Sequence, residues 1–326
     1  MKNLSTFIAG TGSYLPKKRV TNSDLEKKIN TNDEWIFSRT GIKSRYIAAE
    51  DEMTSTLALQ ASLKAIENSN ISADQVDLII LATTTPDEVF PATATVLQSQ
   101  LGLKSGIAFD IQAVCSGFVY ALTVADSMLK SGQGKRALVV GAEVFSRILD
   151  WEDRSTCVLF GDGAGAVVLD TSDISKNSSP RGILASKLHS DGRMHDALYV
   201  NGGPGSSKSS GFVKMDGKEV FKHAVINMSG VVLELISELK ISIDDIDWLV
   251  PHQANKRIID AAADRCGLQS EQVLVNINKY GNTTAGTIPI ALDDAVEEKM
   301  LNKGDILLFA AFGGGFTWGS MLIKWA

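Results

Sequence analysis

Two stretches of this chain, about half its length apart, read as copies of one another, and that leaves few architectures open. Asp77-Leu-Ile-Ile matches Asp247-Trp-Leu-Val (77 to 247, an offset of 170), and Leu138-Val-Val matches Leu307-Leu-Phe (138 to 307, an offset of 169). Gly165-Ala-Val-Val-Leu169 likewise resembles Gly319-Ser-Met-Leu-Ile323. A near-constant offset means two copies of one supersecondary unit. Within the first copy, residues 55–68 carry helical periodicity through Leu57, Leu59, Ala61, Leu63 and Ile66. Residues 76–82 form a continuous apolar run of the buried parallel type, 94–101 a further helix, and 136–141 a further strand. Strands alternating with helices predict an α/β fold with parallel-dominated sheets, and two such halves place their loops on a shared seam. The stretch 171–180, rich in Ser, Asn and Asp, reads as a linker, dividing the chain into halves 1–171 and 172–326.

Chemistry concentrates on three segments. The run 107–111 is strand-like, then Cys115, Ser116 and Gly117 form a corner, and Phe118, Leu122, Ala125 and Leu129 recur at helical spacing. Cys115 is therefore expected at a helix N-terminus, where free N–H groups and the helix dipole favour a thiolate. A lone Cys is more often simply buried core. Two distant segments change that balance. His252 follows the apolar run 248–251, and Asn282 sits in a Gly-flanked turn before a helix, in Tyr280-Gly-Asn282-Thr-Thr-Ala-Gly. Sulfur can take an acyl group while two side-chain donors stabilise charge on a substrate oxygen.

With these segments in view, the chain resembles the β-ketoacyl-acyl-carrier-protein synthase III family of the thiolase superfamily. The likeness also rests on Gly10-Thr-Gly-Ser-Tyr-Leu-Pro16, Asn32-Asp-Glu-Trp-Ile36, Arg39-Thr-Gly-Ile42 and Phe312-Gly-Gly-Gly-Phe-Thr-Trp-Gly319. The resemblance implies a five-layered αβαβα thiolase-like fold, with Cys115 from the first half facing His252 and Asn282 from the second. It implies a decarboxylative condensation of a short acyl-CoA, with acetyl-CoA the expected primer, and malonyl-acyl carrier protein. Cys115 would be acylated, the amides of Cys115 and Gly314 would form the oxyanion hole, and His252 and Asn282 would stabilise the enolate. Trp35, Arg39 and Arg154 would hold coenzyme A, Phe312 would wall off solvent, and Phe90 would reach across a homodimer to close the partner's acyl pocket. Lys222, Lys256 and Arg257 would dock the acidic carrier protein. Coenzyme A enters as the substrate's thioester, with no separate cofactor and no metal. A relative in specialised metabolism, a cysteine hydrolase and a non-catalytic carrier-binding paralogue remain alternatives.

The other features read more simply. Trp35 and Arg39 lie four apart, on one helix face, which suits either stacking of a nucleotide or ordinary packing. Thr21 to Glu26 should be a capped short helix. Gly10 and Gly12 lack a third glycine at Leu15, so a tight turn is expected and a dinucleotide fingerprint is not. The glycines at 161–165 read as close packing. Cys157 reads as core, Cys266 as a helix end, His189 and His195 as solvated loop residues, and His223 as a helix-face residue. Three cysteines without CxxC or Cys/His spacing indicate neither a disulfide framework nor a zinc site. A net charge of −6 argues against nucleic-acid binding. No unbroken apolar run nears the ~20 residues a membrane helix needs, and the N-terminus lacks a signal-peptide core, so a cytoplasmic enzyme is expected.

Overall fold

The computed structural model describes residues 4–173 and 181–326. In chain order its elements are β1 (Leu4–Tyr14), β2 (Lys18–Thr21), α1 (Asn22–Glu26), α2 (Asp33–Thr40), β3 (Ser44–Ile47), α3 (Thr54–Ser69), β4 (Leu78–Ala82), α4 (Thr93–Gln100), β5 (Ile107–Ile111), α5 (Gly117–Lys130), β6 (Ala137–Glu143) and β7 (Gly163–Asp173). There follow β8 (Gly182–Ser190), β9 (Leu198–Val200), β10 (Val213–Met215), α6 (Gly217–Leu239), β11 (Trp248–Pro251), α7 (Lys256–Cys266), α8 (Ile277–Tyr280), α9 (Thr287–Glu297), β12 (Ile306–Gly313) and β13 (Thr317–Lys324).

Two main sheets carry the fold, ordered β1-β7-β6-β4-β5 and β8-β13-β12-β11. Between them lie α5 and α9, which contact strands of both sheets. Outside the first sheet pack α3 and α4, and outside the second α6 and α7, which completes five αβαβα layers. Leu122, Ala125, Ile288 and Leu292 fill the central layer together with Ile80, Val167, Phe309 and Met321 from the sheets. Each has a face buried on both sides, which is why the strands read as unbroken apolar runs.

The repeat holds at the level of register. Leu78 pairs with Ala137 and Trp248 with Leu307, so both strand pairs keep an offset of 170 (78 to 248 and 137 to 307), one residue different from the sequence alignment of β6 with β12. The outermost strand of the first sheet, β5, survives in the second only as a parallel bridge between Leu249 and Val273. The sheets are mixed rather than parallel-dominated, since β7 runs antiparallel to β1 and β6, and β13 antiparallel to β12 and β8. Only three residues join β12 to β13, too few for the crossover that parallel neighbours require.

Other local expectations need revision. Gly10 and Gly12 lie inside β1, where a Cβ would come within 2.4 Å of the Ala65 and Ala61 carbonyl oxygens of α3. Their small size serves helix-on-strand approach, not a turn. Residues 171–173 continue β7, and the rest of the expected linker, 174–180, lies outside the described residues. His189 lies in strand β8, hydrogen-bonded to Glu234 and stacked on Trp318, whereas His195 is exposed as expected. Helix α6 is by length and composition long and apolar enough to cross a bilayer, which polar breaks at Ser229 and Glu234 hid from a search for unbroken runs. One of its faces, with Ala224, Met228, Val232 and Leu235, is packed in the outer core of the second half.

The short helix α1 forms as expected, with Thr21 as its cap in a capping box with Asp24, and Cys266 ends α7 before Gly267 at φ 80°. The halves pack backbone to backbone where a Cβ on Gly141 of β6 would stand 2.2 Å from the Ala285 carbonyl oxygen. Gly141→Ala should therefore destabilise the protein by about 1–3 kcal/mol, the usual cost of overpacking, read as a lower urea midpoint at unchanged m.

Candidate active site

Cys115 occupies a 3-10 turn, Val114–Ser116, that joins β5 to α5. Val114 is held at φ 48°, a left-handed conformation costly for a β-branched residue and typical of functional turns. Ser116 Oγ donates to the Ala113 carbonyl at 2.8 Å and contacts the Thr317 hydroxyl at 2.8 Å, and Thr317 Oγ1 itself lies 3.0 Å from the Ala113 and Gly314 carbonyls. These bonds fasten the Cys115 turn to the β12–β13 connection. Gly313 packs so closely that a Cβ there would meet the Cys115 nitrogen at 2.8 Å. Gly314, the residue singled out from the sequence, instead lies against Leu198 and Val114.

The second half supplies the equivalent turn 170 residues later. Thr284–Gly286 is again a 3-10 turn, with Thr284 at φ 51°, and it leads into α9. Ala285 stands where the first half has Cys115, and Thr287 where it has Gly117. Asn282 precedes this turn. Its backbone joins Phe160 of the first half in a parallel bridge, through Asn282 N–H to the Leu159 carbonyl at 2.9 Å and Gly161 N–H to the Asn282 carbonyl at 3.0 Å. Its side-chain oxygen accepts the Thr284 N–H at 2.8 Å. That bond leaves the amide –NH2 as the group the carboxamide can present to a ligand.

His252 follows β11, with its N–H bonded to the Ala310 carbonyl at 2.8 Å. Beside it Gln253, buried and fully satisfied, donates to the Pro251 and Leu274 carbonyls at 2.9 and 3.0 Å and accepts from the Asn276 and Ile277 N–H groups at 3.1 and 3.2 Å. Four bonds saturate an amide, so Gln253 brackets the histidine segment against α8, which leads to Asn282. Sequence reading gave it no role, although its place beside His252 was a usable signal.

One cavity of about 510 Å³ is lined by Cys115, His252, Asn282, Phe312, Trp35, Arg39 and Arg257, among others. The first three are 5%, 1% and 4% exposed, while Arg39 is exposed and Trp35 half-buried, so the cavity runs from a wet mouth to a dry end. At the mouth, the guanidinium groups of Arg39 and Arg154 each sit 5.1 Å from the Trp35 ring centroid. Arg257 lies over Phe221 at 5.5 Å. Lys222 is exposed beside Glu219, and Lys256 hydrogen-bonds Asp260; neither lines the cavity. Phe90 is 81% exposed on a surface loop outside it. Cys157 is core and Cys266 is buried at its helix end. No group of three metal-ligating side chains occurs among the described residues.

Electrostatics here follow desolvation. Burial, with the Glu143 carboxyl nearby, pushes the Cys115 thiol well above its ordinary value, which favours the thiol over the expected thiolate. The turn sets the sulfur before α5 at a site where burial outweighs the dipole. Glu143, another residue unmarked by the sequence, is raised to about 7 by burial despite bonds from the Thr85 hydroxyl at 2.6 Å and the Thr84 and Thr85 N–H groups. His252 is lowered to about 3 by burial, so its ring is neutral at physiological pH.

The family description "3-Oxoacyl-[acyl-carrier-protein (ACP)] synthase III" matches residues 109–192, and its C-terminal counterpart matches residues 236–325. A beta-ketoacyl-[acyl-carrier-protein] synthase III of Erythrobacter litoralis is 55% identical over 318 residues, 98% of each chain. Its counterpart from Rhodospirillum centenum is 54% identical over 322 residues, 99% of each. The crystal structure of 3-oxoacyl-[acyl-carrier-protein] synthase III from Aquifex aeolicus superposes with a TM-score of 0.92 at 47% identity, covering 98% of this chain and 100% of that one. Fold and comparisons together define an acyltransferase of the condensing, thiolase-like class. Within that class the chain belongs to the 3-oxoacyl-[acyl-carrier-protein] synthase III family and carries out the initiating condensation of fatty-acid synthesis.

Two of the displaced groups, His252 and Glu143, predict opposite pH slopes. His252 is depressed from 6.5 to about 3, so its contribution to stability is present above pH 6.5 and is lost as pH falls toward 3. Glu143 is raised from 4.5 to about 7, so its contribution is present below pH 4.5 and is lost as pH rises toward 7. Urea unfolding across pH should show a shallower acid slope in His252→Gln and a shallower slope between pH 4.5 and 7 in Glu143→Gln.

Proposed function

We propose that Cys115 is the nucleophile that takes a short acyl group from acyl-CoA, acetyl-CoA being the simplest primer, and that the acceptor is malonyl-acyl carrier protein. The observation that carries this reading is the single cavity in which one buried sulfur faces the imidazole and carboxamide of the other half. Because the thiol is protonated at rest, its proton leaves as sulfur attacks the thioester carbonyl and goes to the departing coenzyme A sulfur. The amides of Cys115 and Gly314 receive the oxyanion, and the close packing of Gly313 keeps that corner free of side chains. His252 and Asn282 then donate to the malonyl thioester carbonyl. Loss of CO2 leaves an enolate, its carbon attacks the acyl-cysteine, the C–S bond breaks with the departing Cys115 sulfur taking a proton from water to restore the thiol, and 3-oxoacyl-acyl carrier protein leaves.

Coenzyme A fits the mouth. Trp35 offers a ring to adenine, and Arg39 and Arg154 offer paired cations to phosphate, adenine displacing one guanidinium from the indole face. Lys222, Lys256 and Arg257 form a local basic rim for an acidic carrier protein on a chain of net charge −6, raising encounter rate more than affinity. The exposure of Phe90 and its neighbour Val89 supports a homodimer in which Phe90 closes the partner's acyl pocket, while Phe312 shields the chemistry from water. The first half runs through the end of β7 at Asp173, two residues past the expected 171/172 boundary. The enzyme works in the cytoplasm as a free protein, without metal or separate cofactor, nucleic acid or membrane.

Intact-protein mass spectrometry after incubation with acyl-CoAs of graded length tests the first step. Cys115→Ala should take up no acyl mass; persistent loading would refute the role of the sulfur. His252→Ala and Asn282→Ala should still form the acyl-enzyme but lose malonyl decarboxylation by about 10²–10³-fold each, measured as CO2 release. Equal loss of both steps in either variant would undo this division of labour.

A further inference from the structure

The His252 ring meets the protein through one nitrogen. Nδ1 lies 2.7 Å from the hydroxyl of Thr287, the first residue of α9, while Nε2 has no partner among the described residues and the ring lines the cavity. Burial keeps this imidazole neutral, so it carries one N–H, and whichever nitrogen holds it decides whether the cavity sees a donor or an acceptor.

Thr287 has two directions for its single proton. Its Oγ1 lies 2.7 Å from Nδ1 and 3.0 Å from the Thr284 carbonyl. That carbonyl already accepts the backbone N–H of Thr287, so it does not need the hydroxyl. If the proton pointed there, Nδ1–H would have to donate to Oγ1, and Nε2 would turn a lone pair toward any substrate oxygen. The duplication supplies an independent observation. The position equivalent to Thr287 in the first half is Gly117, so a hydroxyl occurs at this place only in the half whose turn faces the histidine. Thr287 is itself 2% exposed and β-branched, so its side chain has little freedom to swing away.

We propose that Thr287 is a positioning residue: its hydroxyl donates to Nδ1 of His252 and thereby holds the ring as the Nε2–H tautomer, with its donor aimed into the cavity. The inference deepens the role given above to His252 and rests on it for its catalytic consequence, but the tautomer can be read without any turnover.

The test uses the full-length protein labelled with 15N-histidine at neutral pH. His252 is assigned as the ring signal absent from His252→Ala, among four histidines in the chain. The wild-type protein should show a protonated Nε2 and an unprotonated, hydrogen-bonded Nδ1. Thr287→Val, nearly the same shape without a hydroxyl, should shift that pattern toward a mixture of tautomers, and Thr287→Ser should restore it. In parallel, CO2 release from malonyl-acyl carrier protein should fall by up to about 10²-fold in Thr287→Val, the low end for one misdirected oxyanion donor, and by much more than Cys115 acylation does. A wild-type ring protonated at Nδ1, a spectrum indifferent to Thr287→Val, or failure of Thr287→Ser to restore it would each overturn the proposal. The expected spectra combined with normal decarboxylation in His252→Ala would support the tautomer assignment and overturn the reading of His252 as the enolate's donor.

Discussion

The site depends on backbone meeting backbone at the seam between the repeats. Gly141 admits the Ala285 carbonyl, Gly313 admits the Cys115 amide, and Asn282 bridges to Phe160 by two main-chain hydrogen bonds. At none of these contacts can a side chain intervene without moving one half relative to the other. Tolerances of a few tenths of an ångström in glycine packing therefore become tolerances in the distances between sulfur, imidazole and carboxamide, the quantity on which chemistry of this kind depends most steeply.

Around that seam the duplication has been used asymmetrically. Both halves retain the 3-10 turn with a β-branched residue in left-handed conformation, Val114 in one and Thr284 in the other. The first turn carries the sulfur; the second carries Ala285 in its place and serves as a scaffold that fixes Asn282 through the Thr284 N–H and contacts His252 through Thr287. A single inherited shape thus presents a cysteine sulfur on one side and an oriented carboxamide and imidazole on the other. The strain of each turn is held by packing in the central layer, where Ala285 and Phe118 are fully buried.

Desolvation makes this arrangement effective and shapes its ground state. The same burial that holds His252 neutral holds Cys115 as a thiol and Glu143 near the midpoint of its titration at neutral pH. A neutral imidazole can offer a hydrogen bond without a competing counter-charge, and a dry cavity strengthens that bond when charge appears on the substrate. Cationic side chains stand at the mouth, where Arg39, Arg154 and Arg257 are placed on aromatic rings.

The amino-acid order by itself determined the repeat, the alternation of strand and helix, and the three chemical segments, because hydrophobic periodicity and turn chemistry are local properties that need no knowledge of the partner surface. It placed Trp35 and Arg39 on one face and made Cys157 core for the same reason. What it could not supply were effects decided by residues far apart in the chain. Gly10 and Gly12 look like a turn until α3 is laid across them; His189 looks like loop until β13 pairs with its strand; a helix-start cysteine looks like a thiolate until the second half covers it. The partners of Thr287, Gln253 and Glu143 likewise exist only once each half has folded, since hydrogen bonds across 35 residues or 58 depend on the folded path and leave no periodic trace. Tertiary structure alone decided which polar groups were dried, and drying set their protonation.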